Sequence, residues 1–406
     1  MGRISNKADT AIKWICFLIS PFIAFVYSLR NMKAKSSFVV FFLFAVFFGM
    51  AFTVSWNRNE EGTSDGTVYR YLFENMSSVT FDDYMSVWQD YTTLNHDKDV
   101  YFITVAFLVS RLTNNYHFLF CFFAIVFAFF QLKSLRFLTN EEKFNASLSS
   151  YLLVIMFVVS NSIFNINGVR FWTAAWVGVY CIFQIFLNNN KKYFILACVT
   201  PLIHISFVGY LMILLIAYFS KKHNSFWIIM YALSFVISNL SLDFITAISS
   251  FLPGAIRRII NGYATANAIV HREENTSLLK TIFLFMERMY INLMLILCYI
   301  NRKKILQNSG INVFNLLSFL LIWMTFVNFT MPIPSLGGRF FRLSLPVIAY
   351  IWLVTFKGIK YKPVLYAFPF IFIYTFAVEI VRYMLVTDIY FYISNPFYLI
   401  NNYLLS

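Results

Sequence analysis

Apolar runs of about twenty residues, the length that crosses a bilayer's hydrocarbon layer, recur along the whole chain. Residues 37–55 read SFVVFFLFAVFFGMAFTVS, without a single charge. Lipid offers no partner to backbone N–H and C=O groups, so such runs must be helices. Composition agrees: 60% hydrophobic and 12% charged, where a soluble domain has roughly half and a quarter.

Spans are expected at 11–29, 37–55, 101–130 (with a crossing from Tyr116), 147–164, 171–187, 225–241, 278–300, 311–330, 343–356 and 362–379. Arg3, Lys7 and Lys13 before an apolar stretch suggest a signal peptide. RNMKAKS after it lacks a small-residue cleavage site, so it reads as a retained first helix. Segment 193–219 has Lys191 and Lys192 before it and Lys221 and Lys222 after it, which puts both its ends on one face. It is too short for two crossings and holds Thr200-Pro201, so it is expected to be a broken or re-entrant helix pair bent at TPLIHIS. The fold class is an all-α polytopic integral membrane protein with about 10 full transmembrane helices plus that pair. One transmembrane domain covers 1–406, with two larger outer-face loops, 56–100 and 242–277. Cys16, Cys121, Cys181, Cys198 and Cys298 all fall in apolar runs without metal-ligand spacing and read as helix-packing residues.

The short connections 30–36, 131–145, 188–192, 220–224, 301–310 and 357–362 hold 16 basic residues against Glu141 and Glu142, which makes this face cytoplasmic. The basic residues before and after the first helix tie; the other loops break the tie and place both termini outside. Of those 16 residues 13 are lysine. The opposite face, leaving out the N-terminus, carries 11 arginines and two lysines: Arg58, Arg70, Lys98, Arg111, Arg170, Arg257, Arg258, Arg272, Lys280, Arg288, Arg339, Arg342 and Arg382. Lysine is enough to set topology. Arginine adds a planar, always-charged fork that grips phosphate or carboxylate bidentately, so an outer face rich in arginine points to an anionic ligand or to acidic partners.

Arg170 abuts a helix start in NINGVRFW, where Asn167-Gly168 give a tight turn. Arg339 and Arg342 lie in PSLGGRFFR, and Arg257 and Arg258 in LPGAIRRIINGYA, expected as an interfacial helix. Glu287 and Arg288 sit well inside the 278–300 run, as a functional pair or as partners of a neighbouring helix. In loop 56–100 Asp65 and Tyr69 of SDGTVYRYLF are candidates to contact sugar, whereas Asp97-Lys98-Asp99 reads as a helix-start charge cluster. Of five histidines, His204 alone falls at the bend of the broken segment, with Ser206 two residues on; a histidine there can take or hold a proton near neutral pH. No nucleotide loop, catalytic triad or CxxC pair is present in the sequence, so an enzyme here must take a membrane-accessible substrate.

SDGTVYRYLF, DVYFITVAFLVSRL, NINGVRFWTAAWVGVY, KKYFILACVTPLIHISFVGYLMILL and GGRFFRLSLPVIAY, in this order, resemble the EpsG-like branch of Wzy-type polysaccharide polymerases. The departures are Phe171, where the family often has glutamine, and Asp99-Val100, where it usually has Glu-Pro. The resemblance implies a multi-pass enzyme of the bacterial inner membrane, its active site facing the periplasm. It would transfer a glycan from polyprenyl diphosphate onto a lipid-linked repeat unit, with no cofactor, metal or nucleotide. Expected partners are polyprenyl-diphosphate-linked oligosaccharides, the lipid bilayer, a flippase and a chain-length regulator, and no nucleic acid.

On that reading Arg170 and Arg339 bind diphosphate, with Arg342 and Arg258 in support. His204 activates the acceptor hydroxyl by proton abstraction or hydrogen bonding, and Asp65, Tyr69 and Asn167 bind substrate. The rival readings are a lipid-dependent glycosyltransferase that uses a monophosphate donor with Asp65 as base, an O-antigen ligase, and a non-catalytic glycan-lipid transporter.

Overall fold

Backbone in lipid must bond to itself, and every regular element among the described residues is helical. The computed structural model describes residues 6–54, 64–93, 99–221, 224–237, 277–333, 336–356 and 360–405. In chain order the helices that matter below are α1 (Asn6–Ile19), α2 (Pro21–Ser28), α3 (Lys35–Ala51), α4 (Asp65–Glu74), α5 (Phe81–Thr92), α6 (Tyr101–Ser110) and α7 (Tyr116–Thr139). They continue as α8 (Leu148–Val159), α9 (Val169–Phe186), α10 (Tyr193–Ala197), α11 (Thr200–Ile203), α12 (Phe207–Ser220) and α13 (Asn224–Ile237). Beyond Ser277 come α14 (Leu278–Ile300), α15 (Arg302–Thr330), α16 (Gly337–Arg342), α17 (Ser344–Phe356), α18 (Lys362–Tyr366), α19 (Phe368–Ile371) and α20 (Ile373–Val386). Side-chain caps start several of them: Asn115 accepts from the His117 N–H, Ser147 from Ser150 and Ser277 from Lys280.

Five helical stretches are long and apolar enough to cross a membrane, or six if the pair 362–371 and 373–386, bent by 45°, forms one span. The chain is a polytopic membrane protein, but the expected count of about ten full crossings is not supported. The reason is length. Helices such as α3, α6, α12 and α13 have 10–17 residues, and at 1.5 Å per residue they reach about 15–26 Å. The stretch 148–186 doubles back at 160–168, since Phe157 of α8 stacks on Trp176 and Phe183 of α9 at 5.7 and 6.1 Å.

The expected first span is also replaced by a hairpin. Ser20 ends α1 and caps α2, with Pro21 in the first position of α2. The two arms return to one end: Lys13 bonds Ser36 at 3.1 Å and Asp9 at 2.5 Å, and Asn31 donates to Asp9. Residues 9–13 therefore lie with the lysine-rich face, contrary to the expectation that both termini lie opposite it. Residue 403 does lie at the other end, where its carbonyl accepts from Asn115 at the start of α7. Loop 56–100 holds two helices, α4 and α5, among its described residues; loop 242–277 lies outside them except for Ser277.

Segment 193–219 is a hairpin. Phe194 and Phe186 both meet Tyr218, while His204 meets Phe171. Its feet thus stand at the lysine-rich end of α9 and its tip at the other. The reversal is at 204–206, within the expected TPLIHIS, and Pro201 fits the first turn of α11 before it.

The core is closed by aromatic packing, with Trp176, Trp323 and Trp352 fully buried. α3 lies along α7, where Phe52 stacks on Phe120 at 4.7 Å. Gly49 permits this approach: a Cβ there would sit 2.4 Å from Ala124 Cβ and 2.6 Å from the Phe120 carbonyl. Gly49→Ala should therefore destabilise the protein by roughly 1–3 kcal/mol, read as a lowered thermal midpoint of the detergent-solubilised chain. An unchanged midpoint would show that the α3–α7 contact is looser than this.

Candidate functional site

The site is built on the turn between α8 and α9. Ile163–Gly168 form a 3-10 turn, and a buried turn must bond its polar groups internally. Asn161 does most of this. Its Nδ2 donates to the Trp172 carbonyl at 2.8 Å, its Oδ1 accepts from Asn165 at 2.9 Å, and its own carbonyl accepts from Gln131 and Trp176, both at 3.1 Å. Two residues after the turn stands Arg170.

The turn also holds α4. Asn167 Oδ1 accepts the Gly66 N–H at 3.1 Å. Gly66 allows it, since a Cβ there would lie 2.4 Å from that oxygen. Ser64 caps α4, so Asp65 is its first residue and Tyr69 sits one turn on. Asp65 Oδ2 comes within 3.4 Å of the point where a Gly168 Cβ would stand.

Tyr69 is buried and stacks on Phe102 at 4.6 Å. Its oxygen accepts from Arg170 Nε at 3.0 Å, and Arg170 Nη1 lies 3.5 Å from the buried carboxylate of Asp99. Burial pushes the Tyr69 phenol up to about 12; Arg170 opposes the shift, and the Asp65 and Asp99 charges add to it. Tyr69 is therefore a neutral phenol at physiological pH. The Arg170 side chain remains 25% exposed, so its fork is oriented by Tyr69 and Asp99 without being enclosed.

Phe171 connects this cluster to the hairpin tip. The His204 ring meets Phe171 edge-on at 5.3 Å, and the Arg339 guanidinium lies 5.5 Å from the Phe171 ring centre. Arg339 has no acidic partner among the described residues. Arg170 and Arg339 both act electrostatically on His204. His204 Nδ1 accepts the Ser206 backbone N–H at 3.3 Å and lies 2.8 Å from Ser206 Oγ. A backbone donor leaves Nδ1 only the acceptor role, so the neutral ring carries its proton on Nε2. Tyr91 of α5 donates to the Pro201 carbonyl at 2.9 Å and ties the tip to α5.

Arg170, Tyr69, Asp65, Asn167, His204 and Arg339 are thus linked through direct contacts and Phe171. Arg342 goes elsewhere: it pairs with Glu287 at 3.2 Å and bonds Thr375, whose hydroxyl donates to Glu287 at 2.5 Å. Arg258 lies outside the described residues. Sequence reasoning missed two residues that organise the cluster, Asp99 and Asn161. The charge cluster at the start of α6 was the available signal for Asp99. Asn161 carries no such mark.

An all-helical chain with several apolar spans and a polar cluster built on helix breaks defines a polytopic membrane protein. The model of the EpsG family matches residues 39–395, and the chain belongs to that family. No curated protein and no solved structure matches it. Membership supports a membrane protein of the polysaccharide-polymerase type and, in general, glycosyltransferase chemistry.

Tyr69 yields a pH prediction. The unfolded phenol ionises near 10 and the folded one near 12, so as pH rises the unfolded chain loses its proton first. The stabilisation is fully present below about 10 and is lost as pH climbs toward 12. Alkaline titration followed by ultraviolet absorbance should show one tyrosinate fewer near 12 in Tyr69→Phe; identical titrations would contradict the assignment.

Proposed function

We propose that the chain is a polysaccharide polymerase that transfers a glycan from polyprenyl diphosphate onto a lipid-linked repeat unit, at the arginine-rich face of a bacterial inner membrane. The observation that carries this reading is the Arg170 fork, aimed by Tyr69 and Asp99 and linked through Phe171 to His204 and Arg339.

In the transfer, an acceptor hydroxyl oxygen forms a bond to the donor's anomeric carbon while the bond from that carbon to the diphosphate oxygen breaks. Negative charge grows on the departing diphosphate. Arg170 and Arg339 supply fixed positive charge there, and Arg339, without an acid partner among the described residues, is the freer of the two. The tautomer of His204 favours hydrogen bonding over proton abstraction: its Nε2–H donates to a substrate oxygen. Asp65, beside Gly168 and Tyr69, is then the better acceptor for the hydroxyl proton. Asn167 keeps Asp65 in place through Gly66.

A substitution series read by polysaccharide gel tests this. Arg170→Lys and His204→Ala should leave single repeat units on the final acceptor and abolish the ladder. His204→Gln, which retains a donor, should restore part of it, and Asp65→Asn should not. A full ladder from both Arg170→Lys and His204→Ala would sink the assignment. Loss of the single unit would favour a transporter or an earlier transferase. A His204→Gln variant as inactive as His204→Ala would return the base role to the histidine.

A further inference from the structure

Arg288 stands well inside α14, ten residues from Leu278, or about 15 Å along the helix. It has no acidic partner among the described residues. Its guanidinium lies 5.8 Å from the Phe235 ring centre, and its Nε is buried without a hydrogen bond. Glu287 does not serve it. Adjacent helix positions point about 100° apart, and that carboxylate is committed to Arg342 and Thr375.

One turn toward the lysine-rich end, the buried pair Tyr231 and Asn292 bonds α13 to α14 at 2.5 Å. That bond joins the two helices at this level, and Arg288 stands one turn from it, beside Phe235 of α13. Near it Leu284 and Phe285 on α14 and Val236 on α13 are exposed apolar side chains.

An unpaired intramembrane cation is costly, and such residues mark ligand sites. The chemistry that offsets this cost is an anion the planar fork can grip, carried on a tail that the apolar flanks accept. We propose that the surface between α13 and α14 at Arg288 binds a phosphate-headed lipid, with Arg288 as the phosphate ligand. An isoprenoid diphosphate and a membrane phospholipid share this chemistry. This phosphate site does not rest on the function proposed above.

The test is binding of farnesyl diphosphate to the full-length protein in a phosphate-free maltoside detergent. It is made in an Arg170→Ala, Arg339→Ala background, so that failure of the transfer site does not touch the result. Adding Arg288→Gln should weaken binding at least tenfold and Arg288→Lys by less, with farnesol binding unchanged. Retained thermal midpoints show that the variants are folded. Displacement by phosphatidylglycerol would identify a phospholipid as the occupant, and resistance to it an isoprenoid diphosphate; both keep the phosphate site. Unchanged affinity in the two variants, or an equal loss of farnesol, overturns the proposal.

Discussion

The chain can turn inside the protein at 160–168 because Asn161 spends its carbonyl and both its side-chain polar atoms on neighbours. Ser160, Asn161, Ser162 and Asn165 are buried, and an unbonded amide there would cost several times what a surface turn tolerates. Everything in the candidate site follows from this turn. It sets the start of α9 and thereby Arg170; it presents Asn167 to α4, which brings Tyr69 and Asp65; and α9 supplies Phe171, against which the hairpin tip and Arg339 rest.

Much of the fold was legible because apolarity and charge bias are one-dimensional signals. The basic residues on both sides of 193–219 require both its ends on one face, and the structure has a hairpin there. The first helix failed for an equally physical reason. Its apolar run is continuous, and hydropathy does not register that Ser20 can cap a helix while Pro21 begins one. The tie of basic residues around that run was itself a sign: both groups sit at the same end. The number of crossings was overestimated because an apolar helix of 10–17 residues looks like a span once its loops are included.

The site was half legible. Arginine in place of lysine selected Arg170 and Arg339, but not how they differ. Arg170 is held by an acid 71 positions earlier in the chain, and Arg342 by one 55 positions earlier. Such pairings depend on which helices are neighbours, and composition does not encode that. The acidic partners divide the arginines into a steered one, one without an acid among the described residues, and a structural one, a distinction that charge counting treats as a single class.

The hairpin 193–220 has a mechanical consequence. His204 is mounted on a stalk rooted at the opposite face of the protein. The eleven residues from Tyr193 to Ile203, about 17 Å at helical rise, set how high the ring stands. Tyr91 fastens the top from the side. The depth of the histidine along the membrane normal is therefore a length measured from the lysine-rich surface. Distance from that surface, as much as local chemistry, decides which part of a membrane-bound molecule it meets.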